Sequence, residues 1–334
     1  MRDADLLVIG AGIAGASAAW FARQAGLRTL VIDAGIARAS DVPTALINPV
    51  RGYQGRLLKR GPEGARLTFA LIDQLYTAGH TFAAGRGLWR PVPDAATRDT
   101  WAERLPSDYP HRWHAGAPAF LGLRGDAEAW HATLELPESG WVDGPAFVAA
   151  LLAASGAQRM TARVTAIDPQ AHRITLDDGQ TLGAQHLLWC GGAWGAHALG
   201  VTAHYRPGSI VRTRHALGGH AVSHGLYAAP CGAGSALGPT REPSSDRYEE
   251  SGDEGGNESG EERGAAAAVA TMLQRAARMF ATPFEPASVW RGVRLARVSL
   301  PAGLHGLGPY GARGFLMAPL EAREHARRHW GQRT

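Results

Sequence analysis

The segment Leu6-Leu7-Val8-Ile9-Gly10-Ala11-Gly12-Ile13-Ala14-Gly15 constrains this chain more than any other. An unbroken apolar run that stops at glycine suits a central parallel strand covered on both faces. The Ala-rich, Pro-free stretch 13–25 makes a good helix, and Gly26 stands where a left-handed cap would end it. Thr29 to Ile32 form a second strand, so the chain opens with a βαβ unit. In that context each glycine of the GxGxxG has a task. Gly10 permits the tight turn, Gly12 leaves room for a diphosphate against the backbone, and Gly15 lets helix lie close to strand. The free N–H groups and positive dipole end at the helix start favour an anion. Asp33 closes the second strand, at the spacing expected of a carboxylate that accepts ribose hydroxyls. This fingerprint predicts a dinucleotide site and leaves NAD and FAD both open.

A chain of 334 residues predicts one large or two interleaved domains. Residues 67–78 and 145–154 read as helices; Arg163 to Ile167, Arg173 to Leu176 and His186 to Cys190 read as short strands. The fold class is therefore α/β. Two stretches, 86–138 and 204–285, carry more Pro, Trp and His with weaker helical periodicity. They predict a largely antiparallel β substrate domain inserted into a Rossmann-like nucleotide-binding domain of residues 1–85, 139–203 and 286–334. Between Glu242 and Gly264 the chain is acidic and Gly/Ser-rich, with hardly an apolar side chain to bury, which predicts a mobile loop.

Partners and compartment follow from charge and hydropathy. The net charge is only +4 and no Lys/Arg block stands out, so nucleic-acid binding is not implied. Residues 6–25 are apolar, but Asp3 and Asp5 replace a basic leader and glycines interrupt the run, which argues against export. No run is long enough for a membrane helix, and two cysteines make no disulfide framework, so a cytoplasmic setting is expected.

Three further segments separate the dinucleotide readings. His-Leu-Leu-Trp-Cys-Gly-Gly-Ala-Trp-Gly at 186–195 runs from a buried strand into a double glycine. Gly-Ala-Arg-Gly-Phe-Leu-Met-Ala-Pro at 311–319 sets glycines ahead of a C-terminal helix, and Trp290-Arg291-Gly292-Val293-Arg294 precedes it. At these residues the chain resembles the D-amino acid oxidase superfamily of FAD-dependent oxidoreductases, over nearly its whole length. That superfamily includes glycine oxidase, sarcosine oxidase and the oxidase half of the bifunctional tRNA methylaminomethyl-thiouridine enzyme.

The resemblance implies FAD. It assigns Gly10, Gly12, Ile13, Ala14, Gly15 and Asp33 to the ADP half, and the backbone of Val164 to the adenine. Gly191, Gly192 and Trp194 would lie along the pyrophosphate and ribityl chain. Gly311, Arg313, Gly314, Phe315 and Leu316 would present backbone N–H groups to the flavin pyrimidine. The loop from Ser40 to Pro49, with Leu46 and Asn48, would pass the flavin ring, although Ala45 stands where relatives often have glycine. Arg294 would clamp a substrate carboxylate, with a plain surface arginine as the alternative; Leu295 follows it where relatives usually have proline. Guanidinium offers two parallel donors matched to a carboxylate. Tyr227 resembles a strand tyrosine that lines the substrate pocket, and a tyrosine packed in a sheet is the alternative.

The implied activity is oxidation of a carbon–nitrogen bond of an amino acid or secondary amine by hydride transfer to flavin, with oxygen or a separate acceptor reoxidising it. Alternatives are a tRNA wobble-uridine demodifying oxidase and a flavin-binding protein with impaired catalysis. The last is suggested by the short connection between Arg294 and Gly311, where relatives carry an extra strand and a Pro-x-x-Gly turn. His215, His220 and His224 match no metal-ligand spacing, so no metal is expected. Nor does Cys231 sit in an attachment motif for flavin. GxSxG, HExxH and CxxC are absent from the sequence.

Overall fold

The computed structural model describes residues 4–331 apart from 37, 51, 53, 125–129, 241–244 and 249–257. The predicted opening is present: β1 (Leu6–Ile9), α1 (Ile13–Gln24) and β2 (Thr29–Asp33), with Gly26 in the left-handed region at φ 78° just past the helix. A short β3 (Ala45–Ile47) follows, then α2 (Gly61–Thr77). This helix starts at Gly61 rather than near 67, because Pro62 occupies the first turn, where its missing N–H costs nothing. Next come β4 (Ala84–Val92), α3 (Ala95–Arg104), β5 (Arg112–Ala115) and β6 (Ala132–Val142). The helix α3 lies in a stretch predicted to be antiparallel strand; Asp94 Oδ1 starts it by accepting from the Thr97 amide at 2.7 Å.

The chain continues through α4 (Gly144–Ser155), β7 (Gln158–Thr161), β8 (Val164–Asp168), β9 (Arg173–Leu176), β10 (Thr181–Gly183), β11 (His186–Trp189) and α5 (Gly192–Ala198). It then forms β12 (Ala203–Thr213), β13 (Ala221–Ser223), β14 (Tyr227–Cys231), β15 (Gly234–Gly238) and α6 (Glu258–Met279). The last elements are β16 (Pro286–Val298), β17 (His305–Gly306) and α7 (Gly314–His329).

Three sheets result. The order β17-β11-β1-β2-β7 is parallel throughout, β10-β9-β8 is antiparallel, and a nine-stranded sheet runs β16-β12-β15-β14-β13-β4-β6-β3 with β5 on β6. That large sheet is antiparallel except where β13 meets β4. Alternation along β1 places Leu6 and Val8 in the core beneath α1, α4 and α7, and Leu7 and Ile9 in a second core against β8, β9 and α5. Each such Leu or Val removed from water contributes roughly 1.5–3 kcal/mol. Small residues on α1, Ala16, Ala18, Ala19 and Ala22, are fully buried and allow its neighbours close approach.

Three expectations are corrected. The strand at 286–298, predicted with the nucleotide-binding part, is β16 and hydrogen-bonds along β12 in the large sheet. Residues 258–264, predicted as part of a mobile loop, begin α6; of 242–257 only 245–248 are described, and there Ser245 exchanges backbone hydrogen bonds with Tyr205. The helix persists because Met272, Ala276 and Met279 form one buried stripe against the large sheet. Finally, the connection after Arg294 does contain a strand, β17, which closes the parallel sheet beside β11.

Within α7, Pro319 cannot donate to the carbonyl of Phe315. Thr68 Oγ1 of α2 meets that oxygen at 2.9 Å instead, its hydroxyl shared with Gly64 O, so the helix continues through the proline.

Candidate active site

A cavity of about 880 Å³ opens along the C-terminal ends of β1, β2 and β11 and extends to β12, β14 and β16. The carboxyl edge of a parallel sheet is where such folds hold ligands. Every residue proposed from sequence lines this cavity except Gly15.

The glycine turn explains itself sterically. Gly10 has φ 101°, donates to Ile32 O at 2.7 Å, and would drive a Cβ to 2.5 Å from Cys190 O. Gly15 is buried behind it, where a Cβ would come 1.9 Å from Gly10 O. Gly15 therefore sets the distance between helix and strand.

Asp33 and Ser40 are engaged by the protein itself. Asp33 Oδ2 accepts from the Ala11 amide at 2.7 Å and Oδ1 from the Gly35 amide at 3.0 Å, tying β2 to the turn. Ser40 Oγ accepts from the Ile13 amide at 2.9 Å, so one of the amides expected to be bare at the start of α1 is already taken. The N–H groups of Gly12 and Ala14 meet no acceptor among the described residues. Arg38, which sequence reasoning missed, donates to Ala11 O at 3.1 Å, pairs with Asp41 at 3.0 Å and faces Asp33 at 4.0 Å. The Arg-x-x-Asp spacing around a short turn was its only signal.

From the other side, α7 points its N-terminus at the same space through Gly314, Phe315 and Leu316, with Arg313 as N-cap and no side-chain cap bond. Val164 opens β8 beside a bulge, and Gly191, Gly192 and Trp194 enter α5 from the end of β11. Asn48 Oδ1 accepts from the Val50 amide at 2.9 Å, which shapes the loop after β3.

Arg294 and Tyr227 come together at the far end. Arg294 Nη2 donates to Pro207 O at 3.2 Å. Tyr227 donates its hydroxyl to Thr44 O at 2.8 Å, which joins β14 to the residue ahead of β3. Burial pushes the Tyr227 phenol well above its ordinary value, against a smaller opposing effect of the Arg294 guanidinium. Tyr227 is thus a neutral donor at working pH. Burial likewise raises the Cys190 thiol.

The residues set aside lie elsewhere. His215 packs on Phe284, His220 on Trp89 and Phe120, and His224 on Trp130. Among the described residues no group of three His, Cys, Asp or Glu side chains is placed to hold a metal ion. Cys231, half-buried at the end of β14, does not line the cavity. No helix among the described residues is long and apolar enough to cross a membrane.

With this geometry in place, comparison with known proteins is informative. The chain is 31% identical over 341 residues to the tRNA 5-methylaminomethyl-2-thiouridine biosynthesis bifunctional protein MnmC of Caulobacter vibrioides, covering 96% of this chain and 54% of that protein. It spans about half the length of the curated full-length matches of this kind. Among solved structures, glycine oxidase from Geobacillus kaustophilus superposes with a TM-score of 0.77 at 21% identity, covering 96% of this chain and 93% of that one. Iminodiacetate oxidase from Chelativorans sp. BNC1 gives 0.73 at 22% identity, covering 95% and 93%. The FAD dependent oxidoreductase family profile, DAO, matches residues 5–328. The chain belongs to the DAO family of FAD-dependent oxidoreductases.

Proposed function

We propose that the chain binds FAD in this cavity and uses it to oxidise a carbon–nitrogen bond of an amino acid or secondary amine. The observation that carries the reading is the shared cavity: the glycine turn of α1 and the N-terminus of α7 open on the same space as Arg294 and Tyr227. The residues present fit the cofactor. The free amides of Gly12 and Ala14 at the positive end of α1 suit a diphosphate, and those at the start of α7 suit the carbonyl edge of a flavin ring. When bound, FAD supplies the hydride acceptor.

The protein's part is orientation and exclusion of water. Arg294 holds the substrate carboxylate through its guanidinium and thereby fixes the carbon that bears nitrogen. Tyr227 keeps its proton and holds the wall of the pocket through Thr44. No side-chain base is assigned, because an amine that arrives neutral needs none.

The test is flavin content and turnover of the purified protein, with peroxide release and dye reduction followed across amino acids and N-methyl amines. Yellow protein with turnover supports the reading; Arg294→Met should lower kcat/KM for amino acids about 30-fold or more, the equivalent of roughly 2 kcal/mol from stranding a buried carboxylate. Colourless protein that takes up no flavin overturns it, and stoichiometric flavin without turnover by any amine or acceptor favours a flavin binder with impaired catalysis. A second reading, oxidation of a modified tRNA uridine, is favoured by the named activity of the 31% identical relative. It requires tRNA binding that weakens steeply with salt.

A further inference from the structure

Trp290, Gly292 and Arg294 share one face of β16 and stand opposite Ile210, Gly208 and Arg206 of β12, in that order. Gly208 and Gly292 therefore face each other and leave a patch of bare backbone between two larger pairs. Two side chains fold back over it. A Cβ at Gly292 would come 2.3 Å from Cη2 of the Trp290 indole and 2.6 Å from its Cζ2, and a Cβ at Gly208 would come 2.7 Å from Arg294 Nη2. Cβ positions of directly opposed residues lie about 5 Å apart, so the benzo edge of the indole and the guanidinium are neighbours above the glycine pair. Neither glycine has a left-handed backbone; what the arrangement uses is the missing Cβ.

The indole has no place in the core. Every other tryptophan but Trp194 packs in or against one of the apolar clusters among the described residues, and both exceptions line the cavity. Trp290 is half-buried, and its N–H donates to no acceptor among the described residues. A large, rigid aromatic at a cavity wall offers apolar contact area to whatever fills the cavity.

We propose that Trp290 is the apolar wall of the substrate pocket, so that the substrate is an amino acid carrying an apolar group, which packs on the indole while its carboxylate lies at Arg294. This rests on the amino-acid-oxidising reading of the cavity and names its substrate class. In an α-amino acid the carboxylate and the side chain share one carbon, which matches two receptor groups set side by side. Charges around Arg294 set how strongly any carboxylate is held; the indole decides between carboxylates of equal charge. Trp290 is thus a specificity-determining residue, and Gly292 positions it by leaving the space in which the ring lies.

The experiment is calorimetric titration of the FAD-loaded protein with acetate and 4-methylpentanoate, inert acids of equal charge that differ in the apolar group, beside assays of flavin content and amine turnover. Wild type is expected to bind 4-methylpentanoate roughly tenfold more tightly, the scale of added methylene groups in a hydrophobic pocket. The ratio should hold at high salt, because the charges cancel between the two acids. Trp290→Ala should bind the two acids alike and keep its flavin, and Trp290→Phe should retain most of the preference. Gly292→Ala adds a methyl against the movable end of a side chain and lifts the indole without altering it, so it should lose part of the preference; it tests the same contact should Trp290→Ala fail to fold. A Trp290→Ala protein that keeps the full preference overturns the proposal. So does one that loses its flavin, since the indole then serves the cofactor. Equal binding of the two acids by wild type, or binding of neither, sinks this inference, while turnover of amines leaves the oxidase reading standing. A Trp290-dependent preference in a protein that oxidises no amine sinks the oxidase reading instead.

Discussion

Acid should loosen this fold through one buried imidazole, His325 in the last turns of α7. Its ring packs 4.4 Å from the His329 ring and 5.7 Å from the His305 ring of β17, edge-on to Trp330 at 5.1 Å. A small cavity of about 160 Å³ beside it is lined also by His172 and His186. Burial pushes His325 down to about 4, and His329, His305, Arg328 and His186 push in the same direction. The folded state therefore resists protonation that the unfolded chain accepts near 6.5. A depressed histidine costs nothing at pH 7.5 and an increasing amount as pH falls from 6.5 toward 4, where the unfolded state binds the additional proton. Linkage between 6.5 and 4 makes the cost about 2.5 kcal/mol at pH 4.5. Urea unfolding of wild type and His325→Phe at the two pH values isolates that contribution. The wild type should lose about 2.5 kcal/mol more than the variant on acidification. Parallel losses in the two proteins would refute the reasoning.

Three further outcomes follow from contacts described above. Gly15→Ala forces a methyl against Gly10 O and should cost about 1–3 kcal/mol, with flavin uptake reduced because the α1 turn is displaced; denaturant unfolding and flavin absorbance measure both. Tyr227→Phe removes only the bond to Thr44 O and should cost about 0.5–1.5 kcal/mol, while the pH profile of kcat/KM keeps its shape. A lost basic limb in that profile would show that the phenol titrates during catalysis. Arg90, fully buried over the Trp101 ring, donates to Val50 O and Gly52 O on the rim of the cavity, and burial lowers it to about 10. Arg90→Met leaves those carbonyls without a donor and should cost about 1–3 kcal/mol by urea unfolding; unchanged stability would mean the methionine's packing fully offsets the lost donors.

What the sequence revealed is what local physics encodes. An apolar run ending in glycine, an Ala-rich helix and an acid at the next strand's end need no distant partner to be read, and β1, α1 and β2 stand where that pattern put them. Arg294 and Tyr227 were visible as residues through their resemblance to a family, yet nothing local says that they meet. Contacts set by register stayed hidden. Ser40 takes the Ile13 amide across 27 residues, Arg38 holds Ala11 O across the same separation, and Arg206 opposes Arg294 only because β12 and β16 pair with a bulge at His204/Tyr205. A shift of one residue in that pairing would turn Arg206 to the other face, with no change in composition or periodicity. The start of α6 was hidden for a different reason: its acidic, Gly-containing lead has no apolar stripe, and the buried stripe of Met272, Ala276 and Met279 lies only in its later turns. The pairing of β12 with β16 is therefore written in strand register, which a single sequence does not display, whereas the opening β1–α1–β2 unit is written in one local motif, which it does.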